Sequence, residues 1–139
     1  MRCAGSTARL VAASLVVLAC RGEAEEARRA EAGRVARAVE LLREAPGEGK
    51  RPLLAALKQV ACSAEDVCQL KQRCLDAYGV HAGAVEALAA VRRELQGASG
   101  ASPASGELLR RAESDLERAS ALARECADLE GAARRAYRL

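Results

Sequence analysis

Apolar side chains recur at steps of three and four along nearly the whole chain, with charged residues filling the positions between them. That period belongs to amphipathic helices, and no stretch sustains the alternation of two that a strand needs. Residues 23–44 are rich in the strong helix formers Ala, Glu, Arg and Leu, and Ala32, Val35, Val39 and Leu42 make one apolar stripe. Glu25 and Arg29 stand one turn apart there, a pairing worth about 0.3 kcal/mol. The segment APGEGK (45–50) ends this helix through Pro46, Gly47 and Gly49. Pro52 suits the first turn of a short helix that reaches Ala61 and carries Leu53, Leu54, Leu57 and Val60.

Ser63 reads as the N-cap of a third helix, with Glu65 and Asp66 in the first turn where the dipole favours acids. This helix is expected to run to Tyr78, with Val67, Leu70, Cys74 and Tyr78 on one stripe and Gly79 as its stop. A fourth helix, Ala82 to Gln96, aligns Val85, Leu88, Val91 and Leu95. GASGASPASG (97–106) is a hinge of small residues. The last helix, 107–137, is the most regular: Leu109, Ala112, Leu116, Ala119, Ala123, Cys126, Ala133 and Tyr137 form a coiled-coil-like seam, interrupted at Glu130. Such a seam suits a homodimer or packing within one chain, and the second is commoner. The oligomeric state is left open. The expected fold is all-α: an up-and-down helical hairpin or bundle of four or five helices, forming a single domain over residues 20–139.

Residues 1–19 stand apart from this pattern. Arg2 and Arg9 give a positive start, Leu10 to Ala19 is an unbroken run of apolar and small residues, and Cys20 follows Val17, Leu18 and Ala19. About ten apolar residues are too few to cross a bilayer core of ~30 Å as a helix. The pattern is that of a secretion signal. With Cys20 immediately after the cut, it resembles the lipobox of bacterial lipoproteins, the alternative being an ordinary secretory signal that contains a cysteine. The lipoprotein resemblance implies cleavage before Cys20, acylation of its thiol and amino terminus, and attachment to the membrane through those acyl chains. Arg21 in place of Asp after the lipid site implies, by the same resemblance, an outer-membrane lipoprotein facing the periplasm or the surface. Further along, CSAEDVCQLKQRCLDAYGVH (62–81) resembles a cysteine-spaced core of small helical lipoproteins, a likeness of about twenty residues that implies no activity.

Removal of the signal changes the charge argument. The full chain has 22 Lys and Arg against 19 Asp and Glu, and Arg2 and Arg9 leave with the signal while no acid does, so +3 becomes +1. The basicity is mostly a targeting charge and gives no reason to expect nucleic acid as a partner. Composition also limits the core, because Phe and Trp are absent and Tyr78 and Tyr137 are the only aromatic residues. Leu, Val and Ala must fill it, and Ala buries little area at about 25 cal/mol per Å². Such a domain wants reinforcement.

The cysteines supply it. With Cys3 in the signal and Cys20 at the lipid site, Cys62, Cys68, Cys74 and Cys126 remain, an even number in an exported chain and therefore two disulfides. Cys68 and Cys74 lie ~9 Å apart along one helix and ~120° around it, too far for a bond. Cys62 to Cys74 is worse. Elimination leaves Cys62 with Cys68 across the helix start, and Cys74 with Cys126. The second pair has support of its own, since both residues sit on core stripes, and the loop it closes contributes ~4 kcal/mol. The gaps of five residues do not suit zinc, which favours cysteines two to four residues apart, so no metal site is expected.

Nothing else converges on chemistry. His81, the one histidine, is placed at the turn before the fourth helix, solvated or capping. The phosphate-loop, G-x-S-x-G and H-E-x-x-H patterns are absent. Carboxylates are interleaved with Arg on charged faces, and Arg134, Arg135 and Arg138 complement the dipole of the last helix. No catalytic activity and no cofactor are inferred. The expectation is a lipid-anchored envelope protein of structural or interaction type, with an envelope protein as partner. The alternative is a helical lipoprotein that binds a small ligand between its alanine-rich helices.

Overall fold

The computed structural model describes residues 12–97 and 102–139. Among them are four α-helices and no strand: α1 (Ala12–Glu44), α2 (Lys50–Gln59), α3 (Glu65–Gln96) and α4 (Pro103–Tyr137), with a 3-10 turn, Gly47–Gly49, between α1 and α2. The fold is all-α, as the periodicity predicts. Its helices run up and down. Asp66 with Tyr137, Arg73 with Glu125 and Cys74 with Cys126 set α3 and α4 antiparallel. Arg51 pairs with Glu86 and Lys71 reaches the Val60 carbonyl, which sets α2 antiparallel to α3. Arg43 with Glu130 and Arg29 with the Arg138 carbonyl set α1 antiparallel to α4.

The α3–α4 contact is the largest in the molecule. One row on α3, Val67, Leu70, Cys74, Ala77, His81, Ala84, Leu88 and Val91, follows steps of three and four without a break. Ser105, Ala112, Ala119, Cys126 and Ala133 on α4 are buried at intervals of seven. Small residues let these helices approach closely. The hairpin supplies little area per residue, and α1 and α2 widen the core at one end. There Ala32, Val35, Val39, Leu42 and Leu57 join Val67, Leu70, Cys74, Cys126 and Ala133 in one cluster, with Tyr78 and Tyr137 at its edge.

The structure corrects several expectations. Gly79 does not stop a helix. α3 runs through it for 32 residues, so the third and fourth expected helices are one. No proline interrupts 79–83, and a glycine inside a helix costs only about 1 kcal/mol, less than α3 gains by packing Ala77, Ala82, Ala84 and Val91 against its neighbours. His81 therefore lies mid-helix rather than at a turn. Ser63 is not the cap of α3; Ala64 holds that place. α4 starts at Pro103 instead of 107, because Ser102 and Ser105 form a reciprocal capping box and Pro103 fits the first turn. Positions 98–101 of the expected hinge lie outside the described residues. Leu95, at 54% exposure, and Leu109, at 38%, are solvent-facing, since the hairpin has no third helix beside it at that end. Ala123 is exposed as well.

Candidate functional site

Of the residues singled out by sequence, Cys20 and the Cys62–Cys68 pair lie towards one end of the bundle, and Cys74 and Cys126 lie in its core. Cys20 lies within α1, its side chain outside the described part of the structure, as are residues 1–11 of the expected signal. From Gly22 to Ala30 every residue of α1 is exposed, and burial begins at Glu31. This stretch leaves the bundle beside the C-terminus, where Arg29 donates to the Arg138 carbonyl at 3.0 Å and Leu139 packs on Gly33. At the other end α3 continues ten residues beyond Glu86, which faces the start of α2, and α4 returns beside it. The hairpin thus extends about 15 Å past the four-helix part. Leu95 and Leu109 are its exposed large apolar residues.

Both expected cysteine pairs are within bonding distance. Cys62 and Cys68 have Cα atoms 5.4 Å apart, and Cys74 and Cys126 are at 5.0 Å. Their settings differ. Cys74 and Cys126 are fully enclosed in the core, whereas Cys62 and Cys68 are half-buried at the α2–α3 turn. The first bond ties α3 to α4 through a sequence separation of 52, and the second ties the turn to the first helical loop of α3.

Glu31 organises that turn from another helix, a role the sequence does not announce. Its carboxylate accepts from the Ser63 amide at 2.6 Å, the Ser63 hydroxyl at 2.7 Å and the Ala64 amide at 3.0 Å. Burial pushes this carboxyl up, but the Ser63 and Ala64 hydrogen bonds and the Arg34 charge outweigh it and hold Glu31 below its ordinary value. Ser63 thus answers to Glu31 instead of capping α3 itself. Next to it the Tyr137 hydroxyl donates to Asp66 at 2.8 Å, and burial, then Asp66, push its ionisation up.

Glu130, the break in the α4 seam, is 4% exposed and ion-paired to Arg43 of α1 and to Arg134 at 2.9 Å. Its hydrogen bond raises the Arg43 guanidinium against the opposing effect of burial. The polar interruption is where α1 clamps α4. A charged residue at a seam position, with Arg134 one turn further on, was the signal of this in the sequence.

Lys50, at 8% exposure, is buried at the start of α2. Its ammonium donates to the Leu42 carbonyl at 2.8 Å, at the end of α1, and stands 5.3 Å from the centroid of the Tyr78 ring. His81 lies one turn further along α3, with a buried Nδ1 that has no hydrogen-bond partner. Lys50, Tyr78 and His81 share a cleft of about 290 Å³ with Ala77, Leu116, Ala119, Ser120 and Ala123. Among the described residues, no group of His, Cys, Asp and Glu has the arrangement of a metal site. No helix among them is long and apolar enough to cross a membrane. Comparison with protein-family models, curated proteins and solved structures finds no match to this chain.

Proposed function

We propose that the protein is a lipid-anchored envelope protein of structural or interaction type, held in a bacterial outer membrane through acyl chains on Cys20. The supporting observation is the polarity of the bundle. The exposed stretch of α1 that leads from Cys20 enters at one end, and the α3–α4 hairpin projects from the other. About 16 Å of helix separates Cys20 from Glu31, where burial begins after the exposed stretch from Gly22 to Ala30. A chain tethered at Cys20 would hold its disulfide-bonded turn and C-terminus towards the bilayer. It would present Leu95 and Leu109 away from it, where an envelope protein could meet them. The two disulfides suit an oxidising compartment.

The test is the intact mass of the protein extracted from native membranes, before and after reduction. The expected result is loss of residues 1–19, added acyl chains, and the mass of four hydrogens gained on reduction. Cys20→Ala should then leave the chain unacylated and released from the membrane fraction. An unprocessed or unacylated wild-type chain refutes the anchor, and free thiols in it refute the oxidising address.

A further inference from the structure

We propose that the cleft between α2, α3 and α4 is a binding site for a small carboxylate with a short apolar tail. The cleft opens where α1 ends at Glu44, so the α3–α4 seam beyond it loses its cover. Two unrelated oddities meet there. The first is Lys50, a nearly buried cation whose ammonium donates to main-chain carbonyls, Leu42 at 2.8 Å and Arg43 at 3.5 Å. Among the described side chains it has no carboxylate partner. A buried charge normally has one, because two carbonyl dipoles and an aromatic face only partly replace its lost hydration. An ammonium has three N–H donors, and these carbonyls use two.

The second is His81. It occupies a core position in the α3 row otherwise filled by Val, Leu, Cys and Ala. Leucine there would extend the apolar seam and leave no polar atom unmatched. His81 instead keeps an Nδ1 buried and without a partner, a state that weakens a fold unless something binds to it. His81 lines the cleft beside Lys50, and in the Nδ1–H tautomer a turn of its ring towards the opening would make Nδ1 a second donor there. The Ser120 hydroxyl is a third polar group in the lining.

The rest of the lining decides the class of ligand. Ala77, Leu116, Ala119 and Ala123 form an apolar floor, which suits an alkyl or aromatic tail and not a hydrated inorganic anion. The volume, about 290 Å³, is at the small end for ligand pockets, so the tail is short. An acid head group would sit between the Lys50 ammonium and His81 Nδ1, where it would supply the counter-charge and the missing acceptor together. Among the described residues, none of α1 lines this cleft, and it stands or falls independently of the lipid anchor.

The experiment is an NMR titration of the full chain with hexanoate, hexanol and inorganic phosphate in parallel, following the resonances of the single histidine. Saturable shifts with hexanoate, and much weaker ones with hexanol and phosphate, are expected. Lys50→Met should weaken hexanoate binding by about thirtyfold or more, as removal of one partner of a buried charge pair does. Because Lys50 also braces the end of α1, Ala123→Leu gives an independent arm: it leaves Lys50 and His81 in place and fills the cleft from a residue that is exposed. Loss of hexanoate binding in a folded Ala123→Leu chain supports the site. Hexanoate without saturable effect, phosphate binding as tightly as hexanoate, or unchanged binding in Ala123→Leu would each overturn it.

Discussion

Gly79 and Gly83 test whether α3 is one helix. Both are exposed, and a Cβ built on either meets nothing within 4 Å. They border an open groove with Arg51, Leu54, Ala82 and Glu86. Replacing Gly79 by Ala therefore adds a methyl that clashes with nothing. It also removes the entropy that a glycine loses in a helix, a gain of about 0.8–1 kcal/mol, and Gly83→Ala should add a similar amount. The double variant is then more stable by about 1.5–2 kcal/mol. For a chain of this size each kcal/mol raises the midpoint by about 3–4 °C, so a rise near 6 °C is expected. Equilibrium unfolding in guanidinium, followed by circular dichroism with the disulfides intact, gives the same quantity without a thermal extrapolation. Had Gly79 ended a helix in a left-handed conformation, Ala would instead cost about 1 kcal/mol or more. A lowered midpoint for Gly79→Ala thus refutes the continuous helix, and with it the placement of His81 in the seam.

Other consequences follow from the same contacts. Glu31→Ala should cost about 2–4 kcal/mol, since it strands the Ser63 and Ala64 amides at the start of α3, and a loss below 1 kcal/mol in chemical denaturation would show that water replaces the carboxylate. Because Glu31 is held below its ordinary value when folded, its contribution is complete above the usual carboxylate range and fades as pH falls through the depressed folded value. Wild type should therefore lose more stability on acidification than Glu31→Gln, and parallel curves would contradict the assignment. Limiting dithiol followed by alkylation and mass mapping should label Cys62 and Cys68 before Cys74 and Cys126; the reverse order is incompatible with a sealed core pair. Ser102→Ala should cost about 1 kcal/mol through loss of the capping box, with amide exchange rising first at the start of α4.

Most of the architecture was legible because it is written in the period of apolar residues. Ala32, Val35, Val39 and Leu42 are all fully buried, as the stripe on 23–44 requires. The pairing of Cys74 with Cys126 followed from their positions on facing stripes, and the other pair from elimination. What sequence reasoning missed depends on partners distant in the chain. Gly79 looks like a stop when only its neighbours are considered, and it is carried in helix by the contact of α3 with α4. Ser63 is a good cap in isolation but is bound by a carboxylate from α1. Leu95 and Leu109 belong to apolar stripes, yet a stripe does not reveal whether another helix lies beside it. Lys50 and His81 were invisible as a pair because they come together only through the turn of the chain at 45–50.

The repeat of seven in α4 has a consequence for how the hairpin assembles. Ser105, Ala112, Ala119, Cys126 and Ala133 offer α3 nearly the same small surface at each interval, so a slip of one heptad, about 10.5 Å, would exchange one small residue for another. A bundle zipped by alanine alone could settle into several alignments of similar energy. Cys74 and Cys126 distinguish them, since one alignment brings these two thiols together, and Glu130 reaches Arg43 in that same alignment. Oxidation of that pair would then favour this alignment over a slipped one. In a reducing compartment the same alignment would rest on the Glu130–Arg43 pair and the shared core alone.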